Sequence, residues 1–209
     1  MGSAERKERQ RAELREQIVR AARDMVAREG FSALSMRKLA DAVEYAPATL
    51  YLHFENRDAI ARELCVRGFQ EFLAALEPAA TREDPVERLT AMSEAYVRFG
   101  LGQPETYRLI FMEDPKLSTE LFDGAKDNAG SRSFGLLVKV FADLKAAGRL
   151  AEEARPEQLA EVLWAGLHGI VALRLTCIGF QGSPADELAR LLVSTMVHGL
   201  LGPRAKQKR

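Results

Sequence analysis

The chain has 209 residues, of which 47% are hydrophobic and 29% are charged, and its 30 basic side chains balance 30 acidic ones. This length can hold one large domain or two small ones, and the composition is typical of a soluble globular protein. The zero net charge argues against nonspecific binding of polyanions by the whole molecule, whereas a local basic face needs only a few lysines or arginines.

The N-terminal part predicts a long helix. No stretch of the chain alternates with a period of two residues, so we expect helices throughout. The first is expected over residues 8–29, with one apolar face and with Gly30 just past its end. Its charged beginning mixes basic residues with glutamates, which predicts a solvated face; the basic residues are Arg6, Lys7, Arg9, Arg11 and Arg15.

Two short helices joined by a tight turn are expected next. Ser35 is a good N-cap, and apolar residues follow it at helical spacing as far as Val43. Residues 44–46 interrupt this pattern, and Pro47 suits a first helical position, where its missing N–H needs no partner. The second helix has a narrow apolar stripe and an outer face with hydroxyl-bearing and aromatic side chains, which is typical of a DNA-binding helix-turn-helix.

The rest of the chain also predicts helices. Asn56 is expected to cap a long helix over 57–76, and Pro78 is expected to stop it. Further helices are expected at 86–102, 105–112, 118–148 with a break near 124–130, 157–180, and 185–201.

A family resemblance is carried by Leu39-Ala40, by residues 47–54 (Pro-Ala-Thr-Leu-Tyr-Leu-His-Phe) and by residues 56–60 (Asn-Arg-Asp-Ala-Ile). Together they resemble the DNA-binding domain of TetR-type transcriptional regulators. Residues 96–99, 104–109 and 164–169 resemble a C-terminal class of that family, sometimes named for a Trp-His-Gly signature. In the turn, the family usually has Gly where this chain has Glu44, Ser where it has Ala46, and often Gly where it has Ala48.

The resemblance implies an all-α fold of about nine helices, in which a three-helix N-terminal helix-turn-helix head is joined by a long helix to a C-terminal helical bundle. We therefore expect a DNA-binding domain over 1–55, a connecting helix over 56–77, a ligand-binding and dimerisation domain over 78–203, and a basic tail over 204–209. The expected function is that of a homodimeric repressor, released from a near-palindromic operator by a small apolar ligand. The alternatives are a transcriptional activator on the same fold and a helical interaction module that does not bind DNA.

The expected DNA contacts fall into two groups. Tyr51 and Leu52 are expected to face base edges, with Tyr45 and Pro47 near thymine methyl groups. Side chains with hydrogen-bond donors are expected to contact phosphates and to set the register on the duplex. The full set of candidate DNA-binding residues is Ser35, Arg37, Lys38, Tyr45, Ala46, Pro47, Ala48, Thr49, Tyr51, Leu52, His53 and Arg57.

Large side chains with polar tips are concentrated in the C-terminal part. They fit the core of a helical bundle, and they also fit a ligand pocket, which is mostly apolar with a few placed polar groups. His168 must either satisfy its ring nitrogens within the protein or offer one of them to a ligand. The pocket candidates are Met92, Tyr96, Phe99, Tyr107, Phe111, Phe134, Trp164 and His168.

Small residues recur along one face of the apolar helix that contains residues 165–172. Small side chains allow helix backbones to approach closely, which favours an intersubunit contact shared with the last helix, although packing within one chain would use the same pattern. The candidates for the dimer interface are Ala165, Gly169, Ala172, Leu188, Leu192 and Gly199.

The sequence contains no signal for catalysis. No two of the three histidines are spaced as a metal-ligand pair on one helix, and neither a Gly-rich phosphate loop nor a nucleophile elbow occurs. We therefore expect no enzyme, metal or cofactor. Cys65 and Cys177 are expected to be inert buried thiols, and a cytoplasmic location is expected because the charged N-terminal residues do not form a signal peptide. The apolar stretch over 159–180 contains Glu161, His168 and Arg174, so no membrane span is expected.

Overall fold

The computed structural model describes residues 2–117, 127–179 and 182–200. These residues form nine α-helices and no strand, which confirms the all-α fold. The predicted break near 124–130 lies partly outside the described residues, and the predicted tail at 204–209 lies wholly outside them. The helices are α1 (Ser3–Glu29), α2 (Met36–Ala42), α3 (Pro47–Tyr51), α4 (Arg57–Ala80), α5 (Pro85–Gly102), α6 (Pro104–Phe111), α7 (Ala129–Ala146), α8 (Pro156–Thr176) and α9 (Ala185–Leu200).

Capping side chains explain several of the helix starts. The Ser35 hydroxyl accepts a hydrogen bond from the Lys38 backbone N–H at 3.2 Å, and the Asn56 amide oxygen accepts one from Ala59 N–H at 2.9 Å. Asp84 caps α5 by accepting from the N–H groups of Val86 and Glu87. Each cap satisfies a donor that the first turn of a helix would otherwise leave unpaired.

Two helices extend farther than predicted. The first begins at Ser3 rather than at residue 8, because the charged lead-in continues the helix instead of preceding it. The long helix α4 ends at Ala80 rather than at residue 76, so the prediction that Pro78 stops it was wrong. Proline has no backbone N–H to donate and its ring crowds the preceding turn, but its fixed φ is compatible with a helix. Because Pro78 lies in the last turn of α4, the helix can continue for two more residues before it ends. The Thr81 hydroxyl then donates to the Pro78 carbonyl at 2.9 Å.

The chain divides into two compact units. The first contains α1, α2, α3, the part of α4 up to Gly68, and α6 from Glu105 onward. The second contains the rest of α4 from Phe69, together with α5, α7, α8 and α9. Helix α4 thus belongs to both units, and α6 belongs to the unit of the N-terminal helices although it follows α5 in sequence.

Ion pairs and close backbone packing hold the first unit together. Arg67 on α4 donates to both carboxylate oxygens of Glu16 on α1, at 2.9 and 2.5 Å, and pairs with Glu63 at 3.0 Å. A Cβ added at Gly68 would lie only 2.7 Å from Cγ2 of Ile110, so the glycine is what lets α6 approach α4. In the same region the Cys65 thiol lies 3.8 Å from the Leu109 carbonyl oxygen.

The second unit is a bundle around α5, which packs against α7, α8 and α9. Its core-facing side chains include Leu89, Met92 and Tyr96, all buried. At Gly166 on α8 the side chain of Leu192 on α9 packs against the backbone, since a Cβ there would lie 2.6 Å from Cδ2 of Leu192. Among the helices that the structure describes, α8 alone is long and apolar enough to cross a membrane by length and composition, a property it shares with packed helices of soluble proteins.

Candidate nucleic-acid interface and ligand-binding region

The turn between α2 and α3 is a Schellman motif with an unusual residue at its key position. Tyr45 N–H donates to the Ala40 carbonyl and Glu44 N–H donates to the Asp41 carbonyl, the two hydrogen bonds that define this helix end. Glu44 has a φ of 59°, and among the described residues no other non-glycine residue has a positive φ. A left-handed residue at this position is normally glycine, because a Cβ makes the conformation unfavourable.

We expect Glu44→Gly to stabilise the protein. Removing the Cβ relieves a left-handed strain of about 1–2 kcal/mol, and the greater freedom of glycine in the unfolded chain takes back about 0.4–1 kcal/mol. The expected net gain is therefore about 0.5–1 kcal/mol. Urea unfolding would show it as a higher midpoint at unchanged slope. Glu44→Ala is the matched control, since it removes the carboxylate and keeps the Cβ; equal midpoints for the two variants would contradict the strain.

Helix α3 has a buried side and an exposed side. Leu50 is fully buried, as is Phe54 just after the helix. Pro47 lies at the first position, as predicted, and Ala46 at the N-cap provides no side-chain hydrogen bond. On the other side, Tyr45, Tyr51 and Leu52 are 45%, 54% and 70% exposed. Large apolar side chains presented together on so short a helix suit contacts with base edges in a major groove.

The cationic candidates differ in their surroundings. Arg37 is exposed and forms no ion pair with any residue that the structure describes. Lys38 pairs with Glu29 at 3.0 Å, which joins the beginning of α2 to the end of α1. The Arg57 guanidinium lies over the Phe31 ring, 4.9 Å from its centroid, and 3.5 Å from the Asp58 carboxylate. Arg37 is thus the candidate best placed to take up a phosphate, while Lys38 and Arg57 would have to share their charge with a carboxylate.

Two arginines of α1 lie beside the end of α3, which the sequence did not indicate. Arg11 donates to the Leu52 carbonyl at 3.3 Å, and Arg15 lies over the Phe54 ring, 4.2 Å from its centroid, while pairing with Glu63. Partial burial lowers the pKa of His53, and the positive charges of Arg11 and Arg15 lower it further. His53 is therefore neutral at pH 7 and able to donate one hydrogen bond to a phosphate.

The pocket candidates fall into two groups. Tyr96 belongs to a ring cluster in the second unit, where its hydroxyl accepts a hydrogen bond from Nε1 of Trp164 at 3.1 Å. Phe134 contacts Trp164, with ring centroids 5.8 Å apart. Phe72 on α4, which was not among the pocket candidates, joins this cluster through Tyr96 at 5.3 Å and Phe99 at 5.2 Å.

The other two aromatic candidates pair with each other. The rings of Tyr107 and Phe111 on α6 lie 4.8 Å apart, in the first unit. Met92 is buried in the second unit, and His168 is half-buried there. Burial lowers the pKa of His168, so its imidazole is neutral at pH 7 and can act as donor and acceptor at once. The sequence predicted one set of eight pocket residues, whereas the structure places two of them in the first unit and six in the second.

The two cysteines differ from one another. Cys65 is buried, and burial raises the pKa of its thiol to about 12, which makes it the inert thiol that we predicted. Cys177 is exposed at the C-cap of α8, so the prediction that it is buried was wrong. The helix ends at Thr176, and the thiol therefore leaves the apolar pattern of α8. Within the described ranges, no group of three or more His, Cys, Asp or Glu side chains could hold a metal ion.

An apolar face of α8 and α9 remains exposed. Val162, Leu173 and Leu191 are 58%, 51% and 61% exposed. The predicted interface residues Ala165 and Gly199 are exposed as well, whereas Gly169, Ala172, Leu188 and Leu192 are half-buried. A Cβ built at Gly169 or at Gly199 would meet no atom within 4 Å, so neither glycine is needed for packing among the described residues. Gly166, which was not predicted, is the glycine that packing against Leu192 requires.

Comparisons with known proteins agree with this arrangement. The family described as "Bacterial regulatory proteins, tetR family" matches residues 18–64, and the one described as "Tetracyclin repressor-like, C-terminal domain" matches residues 89–199. An uncharacterized HTH-type transcriptional regulator of Haemophilus influenzae is 42% identical over 67 residues, which are 32% of this chain and 36% of the relative. The chain covers between 35% and 54% of the length of this relative and two other curated ones.

Solved structures show the same fold. A protein of unknown function from Rhodococcus sp. RHA1 is 28% identical, with a TM-score of 0.76 over 90% of this chain and 95% of that one. AibR in complex with isovaleryl coenzyme A and operator DNA is 20% identical, with a TM-score of 0.60 over 90% of this chain and 98% of that one. Since the C-terminal match alone covers more than half of the 209 residues and the N-terminal match covers the helix-turn-helix, the chain belongs to the TetR family of DNA-binding transcriptional regulators.

Proposed function

We propose that this regulator is a homodimeric cytoplasmic repressor that binds a near-palindromic operator and leaves it when a small apolar ligand binds. The observation that carries the DNA contact is the exposed side of α3, where Tyr51 and Leu52 are 54% and 70% exposed while Leu50 is buried. Thymine methyl groups and base edges in a major groove would bury these two adjacent side chains, which lie exposed in the free protein.

The ring cluster of the second unit supports the proposal that this protein binds a small molecule. Tyr96, Phe134 and Trp164 combine apolar surface with a hydroxyl and an indole N–H, the mixture found in pockets for small molecules. AibR was solved in complex with isovaleryl coenzyme A and operator DNA, so that protein of the same fold binds both a small molecule and DNA. A ligand can shift the DNA-bound population only by binding one conformation more tightly than the other.

The test is selection of binding sites from random duplex DNA, followed by fluorescence anisotropy on the selected site over a range of salt concentrations. We expect a near-palindromic site to be enriched, with affinity that falls steeply with salt. Tyr51→Ala should weaken binding to this site by about 5- to 100-fold, the range expected for the loss of one base contact. Binding to random DNA should be unchanged. Arg37→Ala should weaken both and reduce the salt slope by about one unit.

Leu101→Ala is the matched control, since Leu101 is an exposed apolar residue of α5, outside the helix-turn-helix. Failure to enrich any sequence, together with a salt slope near zero, would favour the interaction module instead. Transcription in vitro from a promoter that carries the selected site separates repressor from activator. The same assay with a thermal-shift screen of small apolar compounds tests the ligand.

A further inference from the structure

The first turns of α1 are placed to add a second DNA contact, an inference that rests on the proposed DNA binding. Along α1, the face that is buried at Ile18, Ala22 and Met25 continues toward the N-terminus as Arg11 and Lys7. At 100° per residue, these five positions all lie within about 60° of one another around the helix. This side of α1 is therefore apolar at residues 18–25, where other helices cover it, and cationic at Lys7 and Arg11, where it is exposed.

Contacts show that α1 extends past the end of α3. Arg15 meets the Phe54 ring, behind the buried side of α3, and pairs with Glu63. One turn earlier, Arg11 meets the Leu52 carbonyl, at the exposed end of α3. One more turn brings the chain to Lys7, about 6 Å farther along the axis at 1.5 Å per residue. The pair between Arg67 and Glu16 fixes α1 against α4, so the direction of this extension is set by the fold.

Acidic and basic residues both surround this side of α1, but the charges of Lys7 and Arg11 are not cancelled by ion pairs with described residues. Arg9 and Glu13 pair with each other on the opposite side of α1, at 3.6 Å. Glu8 and Arg6 lie about 100° to either side of Lys7, so they offset one another. Lys7 and Arg11 are exposed, and no ion pair involving either is found among the described residues. Their positive charge is therefore available beside the end of α3, where the charge of Arg11 already lowers the pKa of His53.

We propose that Lys7 and Arg11 bind phosphates of the DNA backbone just outside the half-site that α3 contacts. Phosphate contacts of this kind add affinity without base preference, and they lengthen the stretch of duplex that one protomer covers. The Arg11 guanidinium has five N–H donors, so it can keep its hydrogen bond to the Leu52 carbonyl and still contact a phosphate.

The experiment uses the full chain and two duplexes, the selected operator alone and the same operator with several added base pairs on each side. Wild-type protein is expected to bind the longer duplex more tightly. Lys7→Ala should weaken binding to the longer duplex by about 5-fold at 0.15 M salt and reduce the salt slope by about one unit. It should also shorten the hydroxyl-radical footprint at both ends. Arg9→Ala, on the opposite side of α1, is the matched control and should change neither quantity.

Arg11 requires two variants of its own, because its hydrogen bond to the Leu52 carbonyl could stabilise α3 even if Arg11 contacted no phosphate. Arg11→Lys keeps the charge and should retain the salt slope, whereas Arg11→Ala should lower it. Equal salt slopes and equal footprints for wild type, Lys7→Ala and Arg11→Ala would overturn the inference while leaving the proposed function intact. Loss of all operator binding by wild-type protein would instead overturn the proposed function, and the inference with it.

Discussion

Replacing Gly169 by leucine is expected to turn the proposed homodimer into monomers and to weaken operator binding by about 10²- to 10⁴-fold, the gain that linking two binding modules supplies. Gly169 lies on α8 beside the exposed apolar face that contains Val162 and Leu173. A Cβ at Gly169 would meet no described atom within 4 Å, so we expect the protomer to fold with a larger side chain at this position. The leucine side chain would obstruct the face that we propose a second copy covers.

Light scattering measures the oligomeric state, and anisotropy measures operator affinity. Gly135→Leu is the matched control, because Gly135 is an exposed glycine of α7 with equally open space around its Cα. It should remain dimeric and bind DNA normally. Gly166→Leu gives the contrasting result, a loss of folding stability, since its side chain would collide with Leu192. A full dimer with leucine at position 169 would place the interface elsewhere.

Phe99→Ala is expected to lower the free energy of unfolding by about 3–5 kcal/mol, the usual effect of deleting a buried phenylalanine side chain. Phe99 is 5% exposed, and its ring lies 5.2 Å from that of Phe72, which also contacts Tyr96. Removing it would leave a cavity in the middle of the ring cluster. Urea unfolding followed by circular dichroism measures the change.

Phe134→Ala provides the comparison within the same cluster. Phe134 is half-buried and its ring lies 5.8 Å from that of Trp164. We therefore expect Phe134→Ala to cause a smaller loss of stability than Phe99→Ala and a larger change in ligand response. If Phe99→Ala cost less than about 1 kcal/mol and altered ligand response instead, Phe99 would line a cavity rather than fill the core.

Local signals made much of the fold predictable. Ser35, Asn56 and Pro47 mark helix starts through interactions with their own neighbours, and each of the three helices begins where these residues predict. The end of α8 was predicted four residues too late, because apolar residues continue past Thr176 after the helical hydrogen bonds have ended. Hydrophobic periodicity identifies a helix more reliably than it identifies the last turn.

Contacts between distant residues were not predictable in the same way. The hydrogen bond from Arg11 to Leu52 joins residues 41 apart in sequence, and the packing of α6 on Gly68 joins residues about as distant. Nothing in the neighbourhood of either residue indicates its partner. The same holds for Gly166, whose role depends on Leu192. The composition of the exposed side of α3 was visible in the sequence because helical periodicity places Leu50 and Phe54 on one side and Tyr51 and Leu52 away from it.

Helix α6 belongs to the first unit although it follows α5 in sequence, so the first unit is not one continuous piece of the chain. Exchanging residues 1–80 with another family member would transfer the helix-turn-helix and α4 but leave behind Thr106 and Ile110, the side chains that fit against Gly68. The transferred α4 would then face an α6 from a different protein, and even a Cβ at position 68 would lie 2.7 Å from Cγ2 of Ile110, so one of the two side chains would have to shift. We therefore expect a chimera joined at residue 80 to fold stably only when α6 is transferred together with residues 1–80.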